Sequence, residues 1–405
     1  MKKIIILGGG ENQIPLIQRA KALGLYIVLC DFRDNQPGIA LSDIHYKINA
    51  MNSDEIIAVG QKEHVDGIVT NSEPLFVAMA KAAEALGLRC LSPKDTELYK
   101  NKHVMREFCV EHNLLSPGFR YCTNLSEAED FFVKLGKKCI IKPLDNSASR
   151  GVFSINNIEE LREHFDESIS SSSVANPAVL IEEYVTGTEF TIDSLKTTNG
   201  NKCLAISEKK HYSHNENVAY ELLFDNVNDK YDYSQLREVN DKLVDATGIP
   251  FGLTHAEYKY SDGKFYLIEI QARGGGNFIG TDIVPFISGI DSYNELIKWA
   301  VGIESEVEFD YNNLSNKCSI LFFFDAPGEG GVVKEIKGVD YLESLGSKIK
   351  YHLNFSMGDT IVKAKDDSKR IGWYILFADN RAELNTIIYN INKKFQIVYK
   401  NGKDN

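Results

Sequence analysis

Four residues past the middle of the chain bring two acids, an amide and a guanidinium close together: Glu257, then Glu269, Gln271 and Arg273 at every second position. The segments carrying them, 253–260 and 264–271, read as a β-hairpin joined at Ser261-Asp262-Gly263. Period-two spacing puts Glu269, Gln271 and Arg273 on one face. A three-residue loop with Gly263 in the left-handed region pairs Tyr258 with Tyr266 and sets Glu257 on that same face, diagonal to Glu269. A two-residue loop sends it to the opposite face. Carboxylates converging this way repel unless a cation sits between them, and Mg²⁺ holding substrate phosphates suits one or two carboxylates plus phosphate oxygens. The plainer alternative is a solvated charged edge, against which Ile268 and Ile270 mark the strand as half buried.

Two further clusters could serve phosphates and a nucleoside. Lys142 ends the strand-like run Cys139-Ile140-Ile141 and is followed by a small, polar loop at 145–152 containing Ser147, Ser149, Arg150, Gly151 and Val152. Such a loop can fold over a triphosphate with backbone N–H groups, hydroxyls and one arginine. Glu182-Glu183-Tyr184-Val185 runs from a strand into a connector that can offer adenine its backbone, and Glu189 follows as an acid for ribose hydroxyls. Other motifs point less far. Gly8-Gly9-Gly10 begins a dinucleotide fingerprint and Asp31 sits where a ribose acid belongs, but Gln13 replaces the third glycine. His211 and His214 have the spacing of a metal pair without an evident third ligand, and both could instead line a substrate pocket. Trp299 and Trp373 read as core.

The elements that must position these groups follow from periodicity. Strands at 3–7, 26–31 and 67–70 alternate with helices at 13–23, 54–63 and 74–86, and glycines 24 and 87 end two of them. That alternation implies a parallel sheet with ligands beyond its C-terminal strand ends, around Gly8–Gly10, Asp31 and Asn71-Ser72-Glu73. One helix is predicted over 94–113, a mobile surface loop over 168–176, and strands at 139–143, 152–155, 178–184, 189–197 and 202–208. A helix at 233–247 precedes the hairpin, and a strand-rich region from about 314 ends in a helix at 381–394.

The chain has 405 residues, with 45 Lys and Arg against 57 Asp and Glu, so its net charge of −12 disfavours nucleic acid and anionic membranes as partners. Seven singly scattered cysteines with no C-x-x-C pair imply reduced thiols in the cytoplasm. The apolar run Ile4 to Leu7 is too short for a signal segment, and no run is long enough to span a bilayer.

Taken in order, these clusters resemble the ATP-grasp superfamily of carboxylate–amine ligases, over nearly the whole chain. The resemblance implies an α/β fold with a Rossmann-like pre-ATP-grasp domain at 1–93, an ATP-grasp core at 94–305 and a lid-like β-rich module at 306–405. Lys102 and Lys142 match the two phosphate-contacting lysines, residues 147–152 the flexible loop, Glu182, Glu183 and Val185 the adenine hinge, and Glu189 the ribose acid. Glu257 and Glu269 match the metal carboxylates and Arg273 the arginine steadying the transferring phosphate. Gln271 stands where the family usually has Asn, with Mg²⁺, or Mn²⁺ in its place, as the metal. Ser207-Glu208-Lys209, Glu221, His255-Ala256-Glu257, Gly358-Asp359 and Arg370-Ile371-Gly372 are similar to L-amino acid ligases that form dipeptides. Gly8–Gln13 and Asn71-Ser72-Glu73 are equally similar to purine-pathway ligases and to the ligase joining lysine to a methylated ornithine.

The implied reaction uses ATP to convert a small carboxylate to an acyl phosphate, which an amine attacks, releasing ADP and phosphate. Glu73 and Glu208 are then acids able to meet the ammonium group. Gly274, Gly275 and Gly276 add backbone N–H groups to a carboxylate-favouring corner beside Arg273, and a homodimer is compatible with the resemblance. The competing readings are a bicarbonate-using carboxylase with the same ATP site, a silent nucleotide-binding module, and an NAD-dependent oxidoreductase.

Overall fold

The computed structural model describes residues 1–146, 149–172 and 177–400. The apolar runs Lys3–Leu7 (β1), Tyr26–Cys30 (β2), Ile44–Tyr46 (β3) and Gly67–Val69 (β4) form a parallel sheet in the order β3-β2-β1-β4. Ile4 to Leu7 are fully buried, as expected of a parallel strand covered on both faces. Helices Ile14–Ala22 and Phe76–Leu86 end at left-handed Gly24 and Gly87, where the sequence predicted.

An antiparallel sheet follows, built from Phe119–Cys122 (β5), Cys139–Pro143 (β6), Phe153–Ile155 (β7) and Val179–Glu183 (β8) in the order β5-β8-β6-β7. Facing it is a larger antiparallel sheet. Its strands are Thr188–Thr197 (β9), Gly200–Tyr212 (β10), Asn215–Phe224 (β11), Gly252–Ser261 (β12), Lys264–Gln271 (β13) and Cys318–Phe323 (β14). Gly331–Lys337 (β15), Ile349–Leu353 (β16), Thr360–Ile361 (β17), Gly372–Ala378 (β18) and Gln396–Tyr399 (β19) complete the strands. The large sheet runs β13-β12-β9-β10-β11-β14-β18-β16, so strands from either side of residue 306 share it, while β17-β15-β19 form a small sheet of their own.

The structure departs from the expectations in three places. The predicted helix at 94–113 is two, Thr96–Lys100 and Lys102–Glu111, because Asn101 is extended (φ −104°) and its side chain caps His103 and Val104 N–H. The strand predicted at 202–208 continues to Tyr212 and turns into the unanticipated β11. Helix Ile158–Ser170 occupies the start of the predicted loop at 168–176, of which residues 173–176 lie outside the described residues.

The hairpin turns on Asp262 and Gly263 alone, both left-handed (φ 49° and 78°), with Ser261 paired to Lys264. This is the two-residue loop that would put Glu257 on the wrong face. A β-bulge corrects it. The ladder runs Tyr258 with Leu267, then skips Ile268 and pairs Glu257 directly with Glu269. On the other face, Phe190, Ile192, Ile206, Ala256, Tyr258, Leu267 and Ile270 pack into a core that holds the sheet rigid.

Candidate active site

Alternation along four adjacent strands builds one polar face. β9 contributes Glu189, Thr191 and Asp193, β10 Ser207, Lys209 and His211, β12 His255 and Glu257, and β13 Glu269 and Gln271. These groups neutralise one another in pairs. Lys209 Nζ lies 2.8 Å from Glu189 and 2.9 Å from Glu257. His255 Nδ1 lies 3.0 Å from Asp193, whose other oxygen accepts the Gly275 N–H at 2.7 Å. Lys102 Nζ donates to Glu269 at 3.1 Å and Gln271 Nε2 to the same oxygen at 2.9 Å. Arg273 is bound to Glu73 at 3.0 Å.

The balance of burial and partners sets the charges. Burial pushes the Glu189 carboxyl up, but Lys209 and His211 outweigh it and pull its pKa down to about 2. Glu257 and Glu269 are likewise held low despite burial, chiefly by Lys209 and by Lys102 respectively. Asp193 outweighs burial at His255 and raises it to about 9. On the facing sheet, Lys142 goes the other way. Its burial, reinforced by Arg106 and Lys102, exceeds the pull of Glu182 at 2.6 Å and lowers it to about 8.

This face opens into a cavity of about 530 Å³ lined by Glu73, Glu189, Lys209, His211, Glu257, Glu269, Gln271 and Arg273. Its far wall, Leu222, Leu321, Phe323 and Trp373, comes from β11, β14 and β18, with Asp367 and Arg370 beside it. A narrower space of about 140 Å³ continues between the two sheets, lined by Lys102, Lys142, Val152, Glu182, Glu183 and Val185. Ser149, Glu189, Glu257 and Glu269 border both.

Most of the sequence-predicted residues therefore converge, and several do not. Glu208 points to the opposite face, where it accepts from Asn228 Nδ2 at 3.1 Å; its neighbour Lys209 takes the inward position. His214 and the exposed Arg150 line an outer cleft with Gly151, and His214 lies against the Ala364 carbonyl and Asp325 rather than His211. The Tyr184 hydroxyl donates to Glu216 at 3.0 Å. Gly275 has given its N–H to Asp193. At Gly275 a Cβ would stand 2.7 Å from Ile279, so packing requires that glycine, and at Gly274 it would stand 3.1 Å from the Tyr293 hydroxyl; of the three, Gly276 alone lines the cavity. Ser147 lies outside the described residues.

The amino-terminal glycine turn holds its own acid. Asp31 accepts the Gly9 N–H at 2.9 Å and the Arg33 N–H at 2.9 Å, and a Cβ on Gly9 would sit 3.1 Å from Leu29. These bonds close the turn on itself and occupy the acid that a dinucleotide ribose requires.

The sequence reading missed Lys209, Asp193, His255 and Arg106 as site residues. The first three were accessible from alternation: they lie two or four positions from Glu189, His211 and Glu257 on the same strands. Oxygen donors from Glu257, Glu269 and the Gln271 amide, gathered in register in one cavity, fit a hard divalent cation.

A clasp of two antiparallel sheets around a lysine- and glutamate-lined cleft, beside a parallel-sheet domain, defines an ATP-grasp fold. Residues 135–282 match the ATP-grasp domain and residues 17–88 the ATP-grasp N-terminal domain. The chain belongs to the ATP-grasp superfamily. An L-amino acid ligase from Bacillus licheniformis superposes with a TM-score of 0.83 at 21% identity, covering 99% of both chains. An uncharacterized protein of Sinorhizobium fredii is 23% identical over 84% of this chain and 71% of its own length. A formate-dependent phosphoribosylglycinamide formyltransferase of Prochlorococcus marinus is 30% identical over 49% of this chain, an alignment spanning about half (52%) of that enzyme. No helix among the described residues is long and apolar enough to cross a membrane.

Proposed function

We propose that this chain is an ATP-dependent carboxylate–amine ligase that activates a small carboxylate, an amino acid by preference, and joins it to an amine with release of ADP and phosphate. The observation that carries this reading is the pairing of Glu257 with Glu269 in one cavity with Lys102, Lys142 and Arg273 around it. Phosphoryl transfer demands positioning and charge neutralisation more than a protein nucleophile. Adenine lies along Glu182, Glu183 and Val185, with the ribose at Glu189 and the phosphates between Lys102 and Lys142. Glu257, Glu269 and the Gln271 oxygen would hold a divalent cation, which would supply positive charge to the phosphates.

A substrate carboxylate oxygen attacks the γ-phosphorus, the bond to the β–γ bridging oxygen breaks, and ADP leaves. Arg273 steadies the transferring group, and its bonds to Glu73 and to the Gly274 carbonyl orient the guanidinium. The amine then attacks the acyl carbon, phosphate departs, and the ammonium proton passes to an acid or to solvent. Residues 1–93 lie beside the core, and the strands after residue 306 extend its large sheet; together with the loop at 145–152 they would keep water from the acyl phosphate. The full-length likeness to an L-amino acid ligase supports an amino acid as one substrate, and the seven free thiols suit a reducing, cytoplasmic compartment. The test is phosphate release over pooled carboxylates and amines, with mass spectrometry of products. ADP formed with a new amide is expected; AMP as the stoichiometric product, or stimulation by bicarbonate alone, would overturn it.

A further inference from the structure

One buried cation is unexplained by the reading above. Arg106 is completely enclosed, on the first full turn of helix Lys102–Glu111 and one turn beyond Lys102. Its Nε donates to Glu182 Oε1 at 2.7 Å and its Nη2 to the carbonyl of Ile268 at 2.7 Å, while Nη1 is buried without a hydrogen-bond partner among the described residues. Both contacts fall on residues that set the site. Glu182 holds Lys142 through its other oxygen, and Ile268 is the extra residue of the bulge that turns Glu269 toward Glu257.

We infer that Arg106 is a positioning residue for phosphoryl transfer, tying the phosphate lysine of one sheet to the acid-bearing hairpin of the other while competing with Lys142 for Glu182. The proposal rests on Lys142 being the phosphate lysine. With Arg106 in place, Glu182 divides its two oxygens between Arg106 and Lys142, which leaves Lys142 incompletely neutralised and able to meet a nucleotide phosphate. Without Arg106, Glu182 pairs with Lys142 alone and draws it toward the carboxylate. Losing the tie to Ile268 also loosens the hairpin relative to Lys142. Leaving an enclosed carboxylate with fewer partners destabilises the fold as well, so the test separates the two effects.

The experiment measures ATP·Mg²⁺ affinity by calorimetry, together with KM for ATP and for the carboxylate substrate, in Arg106→Met, Arg106→Lys, Glu182→Gln, the double variant Arg106→Met/Glu182→Gln, and Lys142→Ala. Arg106→Met is expected to weaken ATP at least tenfold and leave the carboxylate KM within twofold. Arg106→Lys, which keeps the charge, is expected to recover most of that loss. Once Glu182 is neutral, removing Arg106 is expected to cost threefold or less in ATP affinity. If Arg106→Met does not fold, Arg106→Lys and the double variant, which leaves no unpaired buried carboxylate, carry the comparison. Additive losses in the double variant, or a carboxylate KM that moves as far as that for ATP, would overturn the proposal in favour of plain packing. Wild-type ATP affinity in Lys142→Ala would instead refute the phosphate-lysine reading beneath it. A tenfold loss there with Arg106→Met unaffected refutes this proposal alone.

Discussion

Replacing Lys209 by Met tests whether the charge network is held as the geometry implies. The side chains of Lys209 and Glu189 are about a tenth exposed, and the ammonium bridges Glu189 and Glu257 at 2.8 and 2.9 Å. Methionine fills the stem's space and removes only the charge. Glu189 moves from an ordinary 4.5 to about 2 on folding, equivalent to about 3 kcal/mol of stability at neutral pH. That falls within the ~3–5 kcal/mol expected when one partner is taken from a buried ion pair. Because the folded carboxylate's pKa is depressed, its contribution is complete above pH 4.5 and disappears as pH falls through 2. Urea unfolding at pH 7 should therefore show the variant weaker by about 3 kcal/mol, a midpoint shift of about 1 M at a slope of ~3 kcal/mol/M. By pH 3 the gap between variant and wild type should shrink to about 1 kcal/mol. A loss below about 1 kcal/mol at pH 7, or a gap that persists unchanged at pH 3, would refute the network.

Glu257→Ala and Glu269→Ala should each abolish Mg²⁺-dependent turnover, and retained activity in both would remove the hairpin from the site. Gln271→Asn should keep activity within about tenfold, a barrier change of roughly 1.4 kcal/mol or less, measured as kcat/KM for ATP. Lys142 is charged below about pH 8 and neutral above it, so KM for ATP should rise from pH 8 to 9; in Lys142→Arg that rise should be absent. Deleting Ile268 gives an unbroken hairpin ladder in which Glu269 still pairs with Glu257 on the polar face. Metal-dependent ATP binding should then persist in calorimetry, and its loss would show that the bulge does more than restore the register.

Local signals determined much of this chain. Buried runs such as Lys3–Leu7, glycines 24 and 87 at helix ends, and the alternation of Glu269 and Gln271 are near-neighbour information, since backbone sterics and burial act over a few residues. They sufficed for the parallel-sheet domain, the hairpin and most of the residues that meet in the cavity. The helix break at Asn101 was also written locally, as a capping residue, and was overlooked within a strongly helical stretch. What escaped depends on register and on partners far apart in the chain. The turn at Asp262-Gly263 taken alone sets Glu257 on the wrong face, and only the bulge at Ile268, with the Arg106 bond to that residue's carbonyl, restores it. Choosing Glu208 over Lys209 was a parity error of one position, decided by how β10 pairs with β9. Arg106 meets Glu182 across 76 positions and Lys102 meets Glu269 across 167. No periodicity encodes such pairs, because the free energy that selects them is the cost of burying a charge alone, and that cost arises only once the two sheets have closed on each other.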